Sequence, residues 1–375
     1  MKIFVDDAGE FGTAIAVILA RAGHEVTLRI PTFDYPHVEM LRSLQQTGKN
    51  AKGKRENDLY FEGVELPQNM DFADGLEAIV TSDVVLLSRP SKYIYESFIA
   101  ICERLKQTPG ITLVLLAKGF AHKSLLPLGV EMDHYLRAAG LNNFAVISGP
   151  TPALELVDPD RTFVASAASE DRNVTKKLKK MCQGSGLYLV ETKDIVGVSW
   201  GGCLKNSYAI GYGILGGLAA QARKKKEDTN FSVSATQYLF CIGWHYLDVA
   251  LQEMKVFLAD AGAKPRTINS PAVKGDFRMT CEGTVRWKSR NVRFGEFLAE
   301  YHKKADIDDY VSNNTVEGYE AMKALYHVAQ SKELDAPLLY GIHSICEFGA
   351  SPATFIALVE SRSRKGDKDN FSCEV

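Results

Sequence analysis

Ile3-Phe4-Val5-Asp6-Asp7-Ala8-Gly9-Glu10-Phe11-Gly12-Thr13 decides the fold. Residues 3–5 are a short β-rich run, two glycines follow, and the apolar pattern of residues 13–22 predicts a helix ending at Gly23. Residues 25–29 then predict a second strand. Strand, glycine turn, helix and strand in this order make the βαβ unit in which a dinucleotide pyrophosphate rests on the helix N-terminus. The usual pattern is Gly-x-Gly-x-x-Gly, and Asp7 stands at its first glycine. Aspartate is among the few residues that tolerate unusual backbone angles, so the turn can form, but a carboxylate beside pyrophosphate is electrostatically unwelcome. An ordinary βα turn would carry a similar pattern, and the motif gains its weight from its place between strand and helix.

Further strands are predicted at 84–87, 112–116, 144–147, 162–166 and 187–190, all of the type found in parallel sheets and mostly separated by helical stretches. Residues 32–69 are largely polar and suggest a long connection with some helix. From Asp194, a candidate helix cap, the pattern is helical to the end. The fold class is therefore α/β: a Rossmann-type doubly wound domain over 1–192, followed by an all-α domain over 193–375. Open α/β sheets bind ligands at the carboxyl ends of their strands. Lys118 of Ala117-Lys118-Gly119 lies at one such end, and Ser148-Gly149-Pro150-Thr151-Pro152-Ala153 at another.

The helical half begins with an apolar run from Ile195 to about Ala220 that carries Lys205-Asn206 in its middle, without a nearby acid. On a helix Lys205 has Gly201, Gly202, Tyr208 and Ala209 three and four positions away, so it stands over a face with little bulk. Each helical glycine costs roughly 0.8–1 kcal/mol against alanine, which packing or ligand approach must offset. A lysine in apolar surroundings loses solvation of its charged form and becomes a candidate general base. Two plainer readings stand beside this one. A bilayer span is opposed by the mid-run lysine, and a core-helix lysine could instead extend to the surface. Farther on, Ser289 is a candidate N-cap, so that Arg290 and free amides would face an anion such as a phosphate; a capped surface helix with an exposed arginine is the alternative.

A net charge of −2 and a pI near 6.5 give no general field for nucleic acid or an acidic membrane. The basic cluster 223–226 is expected to be solvated loop. Seven cysteines, without Cys-x-x-Cys or ligand-like spacing to histidine, predict neither a disulfide framework nor a metal site. A cytoplasmic setting is expected from this and from the lack of a signal-peptide pattern.

The segments Arg55-Glu56-Asn57-x-x-Tyr60-x-x-Gly63, Ala117-Lys118-Gly119, Ser148-Gly149-Pro150-x-x-Ala153, Gly202-x-Leu204-Lys205-Asn206, Gly275-Asp276-x-x-x-Thr280, Ser289-Arg290-Asn291 and Val316-Glu317-Gly318 together resemble the NAD(P)-dependent glycerol-3-phosphate dehydrogenases, in the same order over nearly the whole chain. The resemblance implies reversible hydride transfer between sn-glycerol 3-phosphate and dihydroxyacetone phosphate with NAD or NADP, in glycerol 3-phosphate metabolism and phospholipid biosynthesis. It implies Lys205 as proton acceptor for the C2 hydroxyl, with Lys118 and Asp276 orienting the substrate and Asn206 beside them. It further implies substrate contacts at Lys118, Gly149, Thr151, Thr280, Ser289, Arg290 and Asn291. Cofactor contacts are implied at Gly9, Glu10, Phe11, Gly12, Lys118, Ala153, Arg290 and Glu317. Expected partners are a small phosphorylated substrate, no nucleic acid and no membrane, with a homodimer left open. Polar groups come from both halves, so a cleft between them is the expected site.

Three departures accompany the resemblance: Asp7 for the turn glycine, Arg29 where tryptophan is usual, and Pro31 where a basic residue is common. No acid closes the second strand, and Arg29 could meet a 2′-phosphate. Residues 224–238 resemble a family insertion site. Two other functions share much of this pattern: a related reductase of another small keto acid, and a non-catalytic nucleotide-binding protein.

Overall fold

The computed structural model describes all residues except 32–37, 122–123, 228–233, 283–288, 302 and 371–375, and the side chains of 224–241 and 363–370 are likewise outside the description. Part of the expected insertion site falls there. Contacts divide the chain into Met1–Ser199 and Trp200–Val375.

The first unit is built on one eight-stranded sheet. Its strands are β1 (Lys2–Asp6), β2 (Glu25–Arg29), β3 (Met70–Ala73), β4 (Val84–Leu87), β5 (Thr112–Leu115), β6 (Phe144–Ser148), β7 (Phe163–Ala168) and β8 (Leu187–Thr192). They lie in the order β3-β2-β1-β4-β5-β6-β7-β8. The first six are mutually parallel in the 3-2-1-4-5-6 arrangement of a dinucleotide-binding fold. Two expectations need correction. Strand β3 falls just past the stretch assigned to connection, because Met70-Asp71-Phe72-Ala73 is too short to show a period against its polar surroundings. Strand β7 runs antiparallel to β6, pairing Val146 with Ala168, and β8 runs parallel to β7, so the last two strands oppose the first six. Direction within a sheet leaves no mark on a buried strand's own apolar pattern.

Alternation along the strands sorts side chains between the two faces. Ile3 and Val5 of β1, with Val26 and Leu28 of β2, join one buried cluster with helix α1 (Glu10–Arg21). The helix stops where Gly23 takes φ +88°, a backbone region open to glycine. Helices α2 (Val38–Thr47), α3 (Ile94–Leu105), α4 (Leu128–Ala138), α5 (Ala153–Leu156) and α6 (Arg172–Met181) complete the unit.

The unit boundary falls inside α7 (Ile195–Glu227), which Asp194 opens by accepting a hydrogen bond from the Gly197 amide at 2.9 Å. The second unit continues with α8 (Ser234–Asp260), α9 (Asp276–Glu282), α10 (Arg290–Glu300), α11 (Lys304–Asn313), α12 (Glu317–Ser331), α13 (Pro337–Phe348) and α14 (Ala353–Asn370). Among the described residues no strand follows β8.

Of the two offsets open to the glycines of α7, packing or ligand approach, Gly201 and Gly213 show packing. A Cβ on Gly213 would stand 2.1 Å from the Val292 carbonyl oxygen, and one on Gly295 of α10 would stand 2.0 Å from that of Ile210. Paired glycines thus bring the backbones of α7 and α10 together. Gly201 makes way for Val273, whose Cγ2 would be 2.4 Å from an added Cβ. Among the described residues no helix is long and apolar enough to cross a membrane.

Candidate functional site

Lys205 is only 9 % exposed, and its partner comes from 71 residues away. Between α8 and α9 the chain makes one wide helical turn, Pro271–Gly275, closed by the Gly275 amide on the Ser270 carbonyl at 3.2 Å. Such turns are uncommon and shift the residues after them relative to a regular helix. Here the turn sets Val273 on the bare face at Gly201 and Asp276 at the start of α9, facing the lysine. Lys205 Nζ donates to Asp276 Oδ1 at 3.0 Å and to Thr280 Oγ1 at 3.0 Å. The Thr280 hydroxyl in turn donates to the Asp276 carbonyl at 2.7 Å, so its acceptor side is turned to the lysine. The expectation of a lysine defined by apolar and small neighbours therefore changes: its burial is accompanied by direct contact with Asp276.

The next residue heads a second network. Asn206 donates from Nδ2 to Glu317 Oε2 at 3.3 Å and accepts at Oδ1 from Asn291 Nδ2 at 3.0 Å. Asn291 Oδ1 accepts the Gly318 amide at 2.9 Å. Gly318 is required by proximity, since a Cβ there would lie 2.4 Å from the Asn206 carbonyl oxygen. The side chain of Asn291 thus braces Asn206 against the start of α12.

Ser289 caps α10 as its sequence position predicts, its hydroxyl accepting the Val292 amide at 3.3 Å. Ser289→Ala should cost about 1 kcal/mol of stability, the usual worth of such a cap, and thermal or urea unfolding checks it. Arg290, the first residue of the helix, is exposed. One turn along α7 from Lys205, Tyr208 is fully buried and donates to Glu253 Oε1 at 2.8 Å. Glu253 also takes the Leu338 and Leu339 amides at 2.9 and 2.8 Å, tying α7 and α8 to the start of α13. Burial pushes its carboxyl up to about 7, against the opposing pull of those amides and of Tyr208.

In the first unit, Lys118 is half-buried beyond β5 and donates to the Gly149 carbonyl at 3.3 Å, which Thr151 Oγ1 also meets at 3.4 Å. Gly149 itself is a packing glycine, because an added Cβ would lie 2.7 Å from Ala165 Cα. Ala153 opens the short α5 and packs on the sheet's apolar cluster.

At the turn after β1, the α1 N-terminus has Gly9 as its cap residue, so no side chain of the cap takes up its first amides. Glu10 and Phe11 form the first turn. At Gly12 an added Cβ would be 1.9 Å from the Asp7 carbonyl oxygen, so only glycine lets helix and turn approach this closely. Helix dipole, bare amides and glycine contact fit a dinucleotide pyrophosphate. Asp7 complicates the fit: it has φ 125°, is buried, and its carboxylate accepts the Gly9 amide. Arg29, expected to be available for a 2′-phosphate, instead donates to Asp6 Oδ1 at 2.7 Å. Sequence reasoning passed over Asp6 and Arg89. Arg89 is 4 % exposed, lies just beyond β4 and donates to Ser97 Oγ at 2.5 Å. A charged residue at the carboxyl end of an apolar strand was the signal for both.

Among the described residues no group of acids, histidines and cysteines is arranged to hold a metal ion.

Comparison with known proteins accounts for both halves. Residues 2–174 match the family model described as NAD-dependent glycerol-3-phosphate dehydrogenase N-terminus, and residues 194–357 match its C-terminus counterpart. A glycerol-3-phosphate dehydrogenase [NAD(P)+] of Francisella tularensis is 28% identical over 368 residues, covering 98% of this chain and 99% of the relative. One from Halalkalibacterium halodurans is 25% identical over 370 residues, covering 99% and 96%. The crystal structure of the Coxiella burnetii glycerol-3-phosphate dehydrogenase superposes with a TM-score of 0.72 at 25% identity, covering 96% of this chain and 98% of that one. A 2-dehydropantoate 2-reductase from Methylococcus capsulatus, with a TM-score of 0.51 at 13% identity and coverage of 97% and 98%, shares the fold alone. With both halves matched in order and the relatives aligned end to end, the chain belongs to the NAD(P)-dependent glycerol-3-phosphate dehydrogenase family.

Proposed function

We propose that this chain interconverts sn-glycerol 3-phosphate and dihydroxyacetone phosphate, with Lys205 moving the proton at the C2 oxygen. Its family membership makes it an NAD(P)-dependent oxidoreductase. The observation that carries the assignment of the proton is the buried set of Lys205, Asp276 and Thr280. A bound nicotinamide supplies or accepts the hydride. In the reducing direction Lys205 gives a proton to the oxygen on C2, and in the oxidising direction it takes that proton from the hydroxyl. Asp276 and Thr280 hold the nitrogen in place throughout, so the proton moves along a fixed line.

Asn206, braced by Asn291 and Glu317, is assigned to the substrate hydroxyls, and Lys118 to orienting the substrate. The α10 N-terminus with Arg290 is assigned to the phosphate, a use supported by the helix dipole and the exposed guanidinium. A cytoplasmic setting belongs to the same proposal. It is supported by the five described cysteines, all of them buried.

The test is turnover of dihydroxyacetone phosphate by the purified chain with NADH or NADPH. Arg290→Ala should raise KM for dihydroxyacetone phosphate about tenfold, as expected for a lost hydrogen bond to a charged group. Activity on unphosphorylated dihydroxyacetone should hardly change. Equal losses on both substrates would remove the phosphate from Arg290.

A further inference from the structure

Arg29 closes β2, the position from which an arginine of this fold commonly reaches an adenosine 2′-phosphate. Its side chain has another occupation. Strand alternation puts Asp6 and Arg29 on the sheet face opposite the cluster of Ile3, Val5, Val26 and Leu28. On that face Arg29 Nη1 lies 2.7 Å from Asp6 Oδ1 and 3.5 Å from Ser97 Oγ of α3. The two side chains are 13% and 0% exposed.

Arg29 is the only described hydrogen-bond donor to the Asp6 carboxylate, whose second oxygen, Oδ2, is buried without one. Turning Arg29 outward would leave a fully buried carboxylate without that hydrogen bond. Breaking a buried pair in this way costs far more than a partly solvated arginine gains from a phosphate. Arg89, 4% exposed, donates to the same Ser97 hydroxyl.

We propose that Asp6 determines cofactor choice in this enzyme: by holding Arg29 against the sheet it keeps the arginine from a 2′-phosphate, so that NAD is preferred to NADP. The inference rests on the dehydrogenase reading and makes it more specific. It adds to the family pattern a residue at the last position of β1 that acts through Arg29, as a positioning residue.

The experiment is equilibrium titration of the full-length chain with NADH and with NADPH, followed by nicotinamide fluorescence and independent of turnover. The wild-type chain should bind NADH more tightly. Asp6→Leu, which removes both the charge and the acceptor, should free Arg29 and shift the ratio of dissociation constants about tenfold towards NADPH. Asp6→Leu combined with Arg29→Leu replaces the pair by apolar side chains and keeps the wild-type preference. It also decides the matter if the single variant does not fold. An unchanged ratio in Asp6→Leu, a double variant that shifts to NADPH, or a wild-type preference for NADPH overturns the proposal. Binding of neither nucleotide by the wild-type chain overturns the dehydrogenase reading together with it, whereas NADH binding without turnover of dihydroxyacetone phosphate counts against the substrate alone.

Discussion

Lys205→Ala is expected to lower the turnover number by roughly 10²–10⁴-fold, the range in which a positioned proton donor contributes to a reaction of this kind. The methyl group cannot carry a proton, and no substitute stands at the same point, because Thr280 has its own proton committed to the Asp276 carbonyl. The variant also leaves Asp276, 2 % exposed, without its cationic partner. Removing one member of a buried ion pair costs stability as well as chemistry, typically about 3–5 kcal/mol. Loss of activity by itself would therefore prove little. The decisive comparison sets turnover against NADH binding, which draws on β1 and α1, far along the chain from the substitution. A folded variant that binds NADH with near wild-type affinity and does not turn over assigns the proton to Lys205. A folded variant that keeps most of its turnover makes the lysine a structural one.

Much of this site could be read from the sequence where the signal is local. The turn at Gly9 and Gly12, the cap at Ser289 and the cap at Asp194 each depend on residues a few positions apart, and the structure carries all three. What stayed hidden is which of the named residues bond to one another, because those contacts exist only in the fold. Asp276 reaches Lys205 from 71 positions away, and Asn291 reaches Asn206 from 85. The glycines of α7 were visible, but their purpose was not. A helix that bares its backbone to a ligand and one that bares it to another helix have the same sequence, and only the partner glycine at 295 separates them. Arg29 shows the limit most clearly. Its position suggested a phosphate ligand, and Asp6, adjacent to a motif residue, was the neighbour that redirected it.

Asp7→Gly should tighten NADH binding tenfold to thirtyfold near neutral pH. Two costs disappear with the side chain. At φ 125° the backbone lies where a residue with a Cβ is strained by roughly 1 kcal/mol, and glycine, which adopts this and neighbouring angles freely, lets the turn adjust to a bound pyrophosphate. The carboxylate also occupies the Gly9 amide, one of the groups that would face pyrophosphate, and repels the pyrophosphate by roughly 1 kcal/mol or more, since Asp7 is buried and poorly screened. The proton offers a second way to test this. Burial raises the Asp7 carboxyl from 3.8 to about 6, Asp6 adds to the rise, and Arg89, the Gly9 amide and Arg29 oppose it. Below that value the wild-type side chain is neutral, so repulsion vanishes and its affinity should approach that of the glycine variant. As pH rises through about 6 the carboxylate forms and wild-type affinity should fall, while the variant stays flatter. Stability follows the same sign: the folded value lies above the unfolded one, so the contribution of Asp7 is fully present below 3.8 and is lost as pH rises through about 6. Titration of both proteins with NADH at pH 5 and pH 8 separates the terms. A gap that is wide at pH 8 and narrow at pH 5 identifies charge, an equal gap at both identifies backbone strain, and no gap at either means that the chain accommodates Asp7 without loss of cofactor.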